Sequence, residues 1–355
     1  MRLILLDRFE TLPGSTPSAS TRRRSPLSLL AAVARPVSAL LLFAAAVAAS
    51  ATTGPLFAAE VGPTNGEILA SVVSIQVTAV ANARGDQGRE RQGTGVVVER
   101  GGYILTSAFL VQEADSIAVT TGDGRTVPAV VAAQDDAIGV AILRPAAPLG
   151  VRPLPLGAAA TLGPQAPVLV AIAARGRSVT HAQVVAVREY AGHWEYLIEG
   201  AILTAPAVRD WAGAALVDGS GKLLGIGSLL LANGNLFIPV QSFQPALTHL
   251  ARADDGRPPR RAWLGLITAK NGSPLTVTEV LPGSPAERAG VRVGDVIAAV
   301  NGEPVRTHAE LYRRIWRHCE PGTEVRVTIL RDGDPRELWL RAIDPQDYLI
   351  QRAAL

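Results

Sequence analysis

The sequence contains a single cysteine, Cys319, and only two lysines, Lys222 and Lys270. One thiol excludes an internal disulfide framework, a CxxC redox pair and a thiolate-rich zinc site within one chain. Only 18% of the residues are charged whereas 48% are hydrophobic, which excludes a disordered chain. A length of 355 residues allows two or three folded domains.

The chain also lacks an excess of positive charge outside its N-terminus. The formal net charge is +3, yet the first 51 residues contain six arginines against Asp7 and Glu10. The rest of the chain is therefore slightly negative. The basic pI is due to the arginines of the N-terminal segment, so no nucleic-acid partner is expected.

The N-terminal segment has the pattern of an export signal. Arg22, Arg23 and Arg24 precede an apolar run over residues 36–51. This run is shorter than the roughly 20 residues of a spanning helix, and it ends in small residues that suit a cleavage site. We expect residues 1–59 to be an extension with a signal peptide, or an uncleaved inner-membrane anchor, and the folded part to be periplasmic.

Residues 60–252 are predicted to form a domain of short antiparallel strands. Segments rich in β-branched residues follow one another at close intervals, and the sequence around Gly122–Gly124 has the chemistry of a hairpin turn. A second group of such segments begins near residue 166. Strands at this spacing, with no helical period between them, predict two antiparallel barrels in a mostly β fold.

The pattern changes after residue 240. A short amphipathic helix ends the strand-rich part, and residues 253–261 are polar and broken by prolines, as in a linker. Residues 262–344 then predict a compact α+β segment, and residues 345–355 a C-terminal tail. The second helix of residues 262–344 is predicted to begin at Thr307, because Glu310 three residues later completes a capping box.

Residues 281–305, LPGSPAERAGVRVGDVIAAVNGEPV, resemble the central stretch of bacterial PDZ domains. The resemblance implies a groove that takes an extended peptide as an added strand and holds its terminal carboxylate on backbone amides. The peptide-binding residues implied by the resemblance are Trp263, Leu264, Gly265 and Leu266 in the carboxylate loop and first strand, with Leu311 and Ile315 on the second helix. The alternative for the last two is a place in the core.

The strand-rich part resembles the protease domain of the HtrA (Deg) family, a trypsin-like double barrel that precedes PDZ domains. The segments that carry this resemblance are SVVSI, GTGVVVERGGYILTSAFLV, DGRTVPAVVAAQDDAIGVAILR and GSGKLLGIG, in this order. Members of the family commonly form trimers, so the resemblance implies a possible homotrimer.

A serine protease needs a nucleophile, a general base and a buried acid that orients the base. The resemblance places the base at Phe109, the acid at Gly139 and the nucleophile at Ala212. Asp210 replaces a glycine of the oxyanion turn, and Trp211 is expected to fill the cleft. The sequence therefore predicts that the chain is not an enzyme but an inactive serine protease homologue without catalytic residues.

The function predicted from these observations is a non-catalytic periplasmic scaffold or adaptor that binds another protein through the PDZ groove. One alternative is a structural subunit of a membrane protein complex, and another is a regulator or chaperone partner of an active HtrA-type protease. Metal binding through His181 and His193 is the weakest alternative, because no carboxylate or thiol completes a ligand set. No metal or cofactor is expected.

Overall fold

The computed structural model describes residues 5–7, 64–81, 83, 88–98, 102–159, 162–251, 260–270 and 273–349. Apart from strand β1 (Leu5–Asp7), the predicted signal segment lies outside these residues, and so does most of the predicted linker. Among the residues described, no helix is both long and apolar enough to span a membrane.

The first barrel follows a short helix, α1 (Asn65–Ala70), whose capping box joins Thr64 and Glu67. Its strands are β2 (Val72–Ala79), β3 (Glu90–Val97), β4 (Ile104–Ser107), β5 (Ala114–Thr120), β6 (Thr126–Asp135) and β7 (Val140–Pro145), with helix α2 (Ala108–Val111) after β4. They close in the order β2-β3-β4-β7-β6-β5. Valine and isoleucine at alternate positions of β2 are buried, which gives the barrel its apolar interior.

The second barrel consists of β8 (Pro167–Ile172), β9 (Ser178–Ala191), β10 (Leu197–Ala205), β11 (Ala215–Val217), β12 (Leu223–Leu231) and β13 (Gly234–Pro239). The sheet order is β1-β12-β11-β8-β9-β10-β13, and pairing of β12 with β13 closes the ring. Strands β9 and β10 form a long hairpin. We refer to residues 192–196, between these two strands, as the hairpin tip.

A 3-10 turn (Val240–Ser242) and helix α3 (Gln244–Ala251) end the strand-rich part. The C-terminal segment contains β14 (Leu266–Thr268), β15 (Val277–Val280), α4 (Pro285–Arg288), β16 (Val296–Val300), β17 (Glu303–Pro304), α5 (His308–His318), β18 (Glu324–Arg331), β19 (Asp334–Arg341) and α6 (Pro345–Tyr348). Strands β14 and β15 pair with each other, and the other four lie in the order β17-β16-β18-β19. The Thr307 side chain accepts a hydrogen bond from the Glu310 amide, so α5 begins where the sequence predicts.

The two barrels and the C-terminal segment agree with the predicted fold class. Separate apolar clusters fill each barrel, and a further cluster lies between the barrels. The core of the C-terminal segment also contains Leu197, the first residue of β10. The β9–β10 hairpin therefore packs into the C-terminal segment as well as forming a wall of the second barrel.

Candidate functional site

The fold brings together the three positions at which the sequence placed a catalytic triad. Phe109 lies on α2, Gly139 in the turn before β7, and Ala212 shortly before β11. The amide of Ala108 donates to the carbonyl of Gly139 at 2.9 Å, and the amide of Thr94 donates to the carbonyl of Ala212 at 2.9 Å. These backbone bonds fix the three positions around the cleft between the barrels.

Aromatic rings pack around these positions. The ring centroids of Phe109 and Trp211 are 5.7 Å apart, and Trp211 is only 7% exposed. The buried ring of Tyr196 lies against Gly139, where an added Cβ would be 2.6 Å from the Tyr196 hydroxyl oxygen. Gly139 also has a φ of +78°, so a larger residue is disfavoured there by backbone conformation as well as by space.

The hydroxyl of Tyr196 is hydrogen-bonded to that of Ser228, and both groups are buried. Burial raises the pKa of Tyr196 well above its ordinary value. Asp210, at the predicted oxyanion turn, has Oδ1 4.0 Å from Nε of the exposed Arg175. A long, exposed ion pair of this kind contributes little to stability.

The predicted carboxylate loop lies at the start of the C-terminal segment. Trp263 forms an isolated bridge with Ile343 and packs on Tyr348, with ring centroids 4.7 Å apart. Leu264 and Leu266 are buried, whereas the amides of Leu264 and Gly265 face the second barrel. Gly265 has a φ of +77°, which turns successive amides toward one point.

The acceptor of these amides is Glu195, a residue that sequence reasoning missed. Its Oε1 is 3.1 Å from the Leu264 nitrogen and 2.9 Å from the Gly265 nitrogen, and its Oε2 is 3.2 Å from the Leu264 nitrogen. Glu195 belongs to the hairpin tip, 69 residues before Leu264. No local motif marks it, because its role depends on how the second barrel packs on the C-terminal segment.

Burial raises the pKa of Glu195 to about 7, against the opposing effect of hydrogen bonds from the amides of Gly265, Leu264 and Leu266. Glu195 is only 5% exposed as a whole residue, and its backbone has a φ of +61°. The contact therefore combines favourable amide hydrogen bonds with costs of desolvation and of backbone conformation.

Helix α5 contacts the hairpin tip through Tyr312. The hydroxyl of Tyr312 donates to the carbonyl of Gly192 at 2.7 Å. The rings of His308, Tyr312 and Trp316 stack along this side of the helix. The predicted peptide-binding residues Leu311 and Ile315 are each 1% exposed and lie in the core cluster of the C-terminal segment; their role in binding a peptide stays a prediction.

The hairpin tip also reaches strand β14. The amide of Thr268 donates to the carbonyl of His193 at 3.1 Å, and the Thr268 hydroxyl is 2.7 Å from Nε2 of His308. Burial lowers the pKa of His308. The loop amides, β14 and α5 are thus brought together around residues 192–196.

A cavity of about 820 Å³ connects this region with the cleft between the barrels. Phe109 and Gly139 of the first barrel line this cavity. Its wall also includes Trp263 and Leu266 of the carboxylate loop and first strand, and Glu195 of the hairpin tip. The two predicted sites, one in the barrels and one in the C-terminal segment, therefore border one partly open cavity.

Acidic groups line or border the same cavity. Burial raises the pKa of Asp136 to about 6, and its carboxylate accepts a hydrogen bond from the Gln346 side chain. Burial also raises the pKa of Asp135, although Arg261 opposes this with a hydrogen bond of 3.3 Å. The guanidinium of Arg261 lies 4.8 Å above the ring of Trp316. The ion pair of Arg261 with Asp135 is a further contact between the first barrel and the C-terminal segment.

The structure does not bring His181 and His193 together. His181 is near the start of β9 and His193 lies beyond its end, so the extended strand separates them by roughly 35–40 Å. In the part of the chain that the structure describes, no group of three or more His, Cys, Asp or Glu side chains could hold a metal ion.

Comparisons with known proteins agree with this architecture. A family model of the trypsin-like peptidase domain matches residues 93–226, and a PDZ domain model matches residues 262–341. The serine endoprotease DegS of Haemophilus influenzae is 31% identical over 68% of this chain and 74% of its own length. The periplasmic pH-dependent serine endoprotease DegQ of Escherichia coli is 30% identical over 70% of this chain.

The chain spans 58% of the length of DegQ. Among solved structures, the serine endoprotease from Yersinia pestis superposes with a TM-score of 0.51 at 24% identity, over 80% of this chain and 99% of that one. The HtrA-type protease AlgW with a decapeptide gives a TM-score of 0.52 at 19% identity, over 82% of this chain and all of that one. At these identities the two structures support the fold.

The prediction that the chain is not an enzyme is contradicted by these comparisons. The relatives are named serine endoproteases, which points to a protease, and none of the comparisons supports inactivity. The prediction rested on Phe109, Gly139 and Ala212 alone, which carry neither a base nor a nucleophile. It gave no catalytic role to other polar groups that line the same cavity, such as Ser107 and Asp136.

The family resemblance proposed from the sequence is confirmed. The two domain models match in the predicted order, and DegS exceeds 30% identity over most of its length. The chain belongs to the HtrA family of trypsin-like peptidases that carry a PDZ domain.

Proposed function

We propose that this HtrA-family protein binds the C-terminal or another extended segment of a partner protein through its PDZ groove, as a scaffold or adaptor in the periplasm. The observation that carries the proposal is the pair of loop amides, Leu264 and Gly265, which hold a carboxylate at 2.9 to 3.2 Å. Backbone amides arranged in this way recognise a peptide's terminal carboxylate.

The relatives support the same proposal. AlgW has been solved with a decapeptide and with a tripeptide, and DegQ is named as periplasmic. Partners that fit the proposal are an active HtrA-type protease that the chain regulates, a subunit of a membrane complex, or a misfolded chain. We further propose that the protein assembles as a homotrimer through its barrels, a state that light scattering of the purified chain would identify.

Peptide binding can be tested by fluorescence anisotropy. The probe is a pool of random octapeptides with a free C-terminal carboxylate, compared with the same pool amidated at the C-terminus. We expect only the free-carboxylate pool to bind. Gly265→Ala should weaken binding at least about tenfold, because a Cβ there would collide with Ser284 and turn the amides away.

Gly322→Ala is the matched control. Gly322 also has a positive φ, +93°, but a Cβ there meets no atom within 4 Å, and its amide donates to the carbonyl of Ala342. This variant should bear the same backbone cost and keep its affinity for peptides. Equal binding of free and amidated pools would refute carboxylate recognition.

Proteolysis is a second candidate function, favoured by the names of the relatives. Ser107 lines the cavity, and among the residues described its buried hydroxyl has no hydrogen-bond partner. Asp136, with a pKa of about 6, lines the same cavity. A hydrolytic activity of this cleft would use such groups, since Phe109, Gly139 and Ala212 offer neither a base nor a nucleophile.

Hydrolysis of casein by the purified chain tests this candidate. Loss of hydrolysis in Ser107→Ala, but not in the exposed-turn control Ser220→Ala, would support it. If the wild-type chain leaves casein intact, with and without the free-carboxylate peptide pool, this second candidate is refuted.

A further inference from the structure

The hairpin tip occupies the PDZ groove in the way expected for a peptide ligand. The Glu195 carboxylate lies where a peptide's terminal carboxylate would bind, with two loop amides within 3.2 Å. Both amides are provided by the loop that sequence reasoning assigned to carboxylate binding. A carboxylate from within the chain therefore satisfies the donors on which a partner would depend.

The backbone of the tip also contacts the strand and the helix that border the groove. The carbonyl of His193 accepts from the amide of Thr268 on β14, and the carbonyl of Gly192 accepts from the hydroxyl of Tyr312 on α5. Strand β14 pairs on one side with β15. The tip thus lies at its other edge, where an extended peptide adds as a strand.

Apolar packing holds the hairpin against the C-terminal segment, and two partly exposed ion pairs lie beside this contact. Arg313 of α5 forms ion pairs with Glu189 of β9 and Glu199 of β10, the second at 2.9 Å. Leu197 packs into the core of the C-terminal segment. Leu197 lies outside the tip itself, so its packing keeps the tip close to the groove, whereas exposed ion pairs contribute little to stability.

The tip is nevertheless a costly ligand. Glu195 has a left-handed backbone conformation, and its carboxylate is removed from water without a cationic partner among the residues that bind it. A partner's terminal carboxylate would make the same amide bonds without the strained residue, and its preceding residues could pair along β14. Exchange of one carboxylate for the other is therefore feasible.

We propose that the tip of the β9–β10 hairpin is an intramolecular ligand of the PDZ groove, and that a partner's C-terminus binds by displacing Glu195. This inference rests on the proposed peptide-binding function and adds its regulation. Apparent affinity for a partner is reduced by the fraction of molecules in which the tip is docked. Removing the Glu195 carboxylate should remove that reduction.

The test compares the full wild-type chain with Glu195→Ala and with Glu199→Ala. Glu199 is a matched control on the same hairpin, because its carboxylate is exposed and its partner Arg313 keeps an ion pair with Glu189 when Glu199 is removed. Hydrogen exchange of residues 262–269 is followed by mass spectrometry. We expect the Leu264 and Gly265 amides to exchange at least about tenfold faster in Glu195→Ala and at the wild-type rate in Glu199→Ala.

Binding of the free-carboxylate octapeptide pool provides the second measurement. Glu195→Ala should bind at least about tenfold more tightly than the wild type, and Glu199→Ala should bind equally. If Glu195→Ala changes neither exchange nor affinity, the inference is overturned while wild-type binding preserves the proposed function. If exchange increases but no protein binds the pool, the proposed function fails and the tip contact stands.

A reversible lock guards against effects of altered folding. His193→Cys with Thr268→Cys, in a Cys319→Ser background, places two thiols where a hydrogen bond of 3.1 Å now joins the backbones. After oxidation with diamide the tip is fixed, and we expect peptide binding to be lost; reduction with dithiothreitol should restore it. Equal binding by the oxidised and reduced forms would contradict displacement.

Discussion

Side chains of the same protein lie in both the cleft between the barrels and the PDZ groove, but their chemistry differs. In the cleft, Phe109, Trp211 and Tyr196 pack as buried rings around Gly139. In the groove, the carboxylate of Glu195 is held by two amides. Apolar rings have no better partner in water, whereas a carboxylate regains its hydration when it leaves.

We therefore expect the ring packing in the cleft to be permanent and the Glu195 contact in the groove to be exchangeable. Ring packing in the cleft contributes to the stability of the barrels, because its removal would leave a cavity. The groove contact is a balance between hydrogen bonds and desolvation, so a competing carboxylate can shift it. The following predictions test this distinction.

The largest effect is expected for Trp211→Ala. Deleting a buried indole ring should lower the free energy of unfolding by about 3–5 kcal/mol, as measured by urea denaturation. Trp339→Ala is the control, because Trp339 is 57% exposed and its loss should cost less than about 1 kcal/mol. Similar costs for the two variants would show that the cleft filling is not structural.

The next effect concerns pH. Burial raises the pKa of Glu195 from 4.5 to about 7. Between these values the folded chain keeps a proton that the unfolded chain has released, so the free energy of unfolding should decrease as the pH rises. The expected contribution of Glu195 is on the order of 3 kcal/mol.

Urea denaturation between about pH 4 and 8 measures this contribution as the difference between wild type and Glu195→Gln. Asp136 has a pKa raised to about 6 and acts in the same direction, but it is present in both proteins and cancels. Parallel pH profiles for the two proteins would mean that the groove carboxylate is not the titrating group.

The smallest effect is expected for Tyr312→Phe, which removes the donor to the Gly192 carbonyl and keeps the ring. Loss of this buried hydrogen bond should reduce the free energy of unfolding by about 1–2 kcal/mol. Tyr348→Phe removes a more exposed hydrogen bond, to the Pro282 carbonyl, and should cost less than about 0.5 kcal/mol. If both changes cost the same, the tip is not held by Tyr312.

The fold could be predicted from the sequence because its signals are local. Alternating apolar residues predict β2, the Gly122–Gly124 turn lies between β5 and β6, and the cap at Thr307 begins α5. The strand-rich part and the α+β segment follow in the predicted order. The predicted domain boundaries stay a prediction, since the linker lies mostly outside the residues described.

The candidate site could be predicted only in part. The carboxylate loop carries a sequence motif, so Leu264 and Gly265 could be named as candidates from the sequence, and their role in binding a peptide stays a prediction. Glu195 was not, because its partners are 69 and 70 residues away in sequence. On α5, the sequence indicated Leu311 and Ile315, and their role in binding a peptide stays a prediction. The side chain that contacts the tip is the adjacent Tyr312. Adjacent helical residues differ in direction by about 100°, so a contact of Tyr312 does not follow from the position of Leu311.

The attachment of the hairpin tip to the chain has a consequence for partner choice. A ligand tethered beside its site competes at an effective concentration that is roughly millimolar and does not fall when the protein is diluted. Under the proposed displacement, a partner would have to exceed a fixed threshold of affinity, whatever the abundance of the protein. C-termini that bind weakly would then be rejected at any protein concentration.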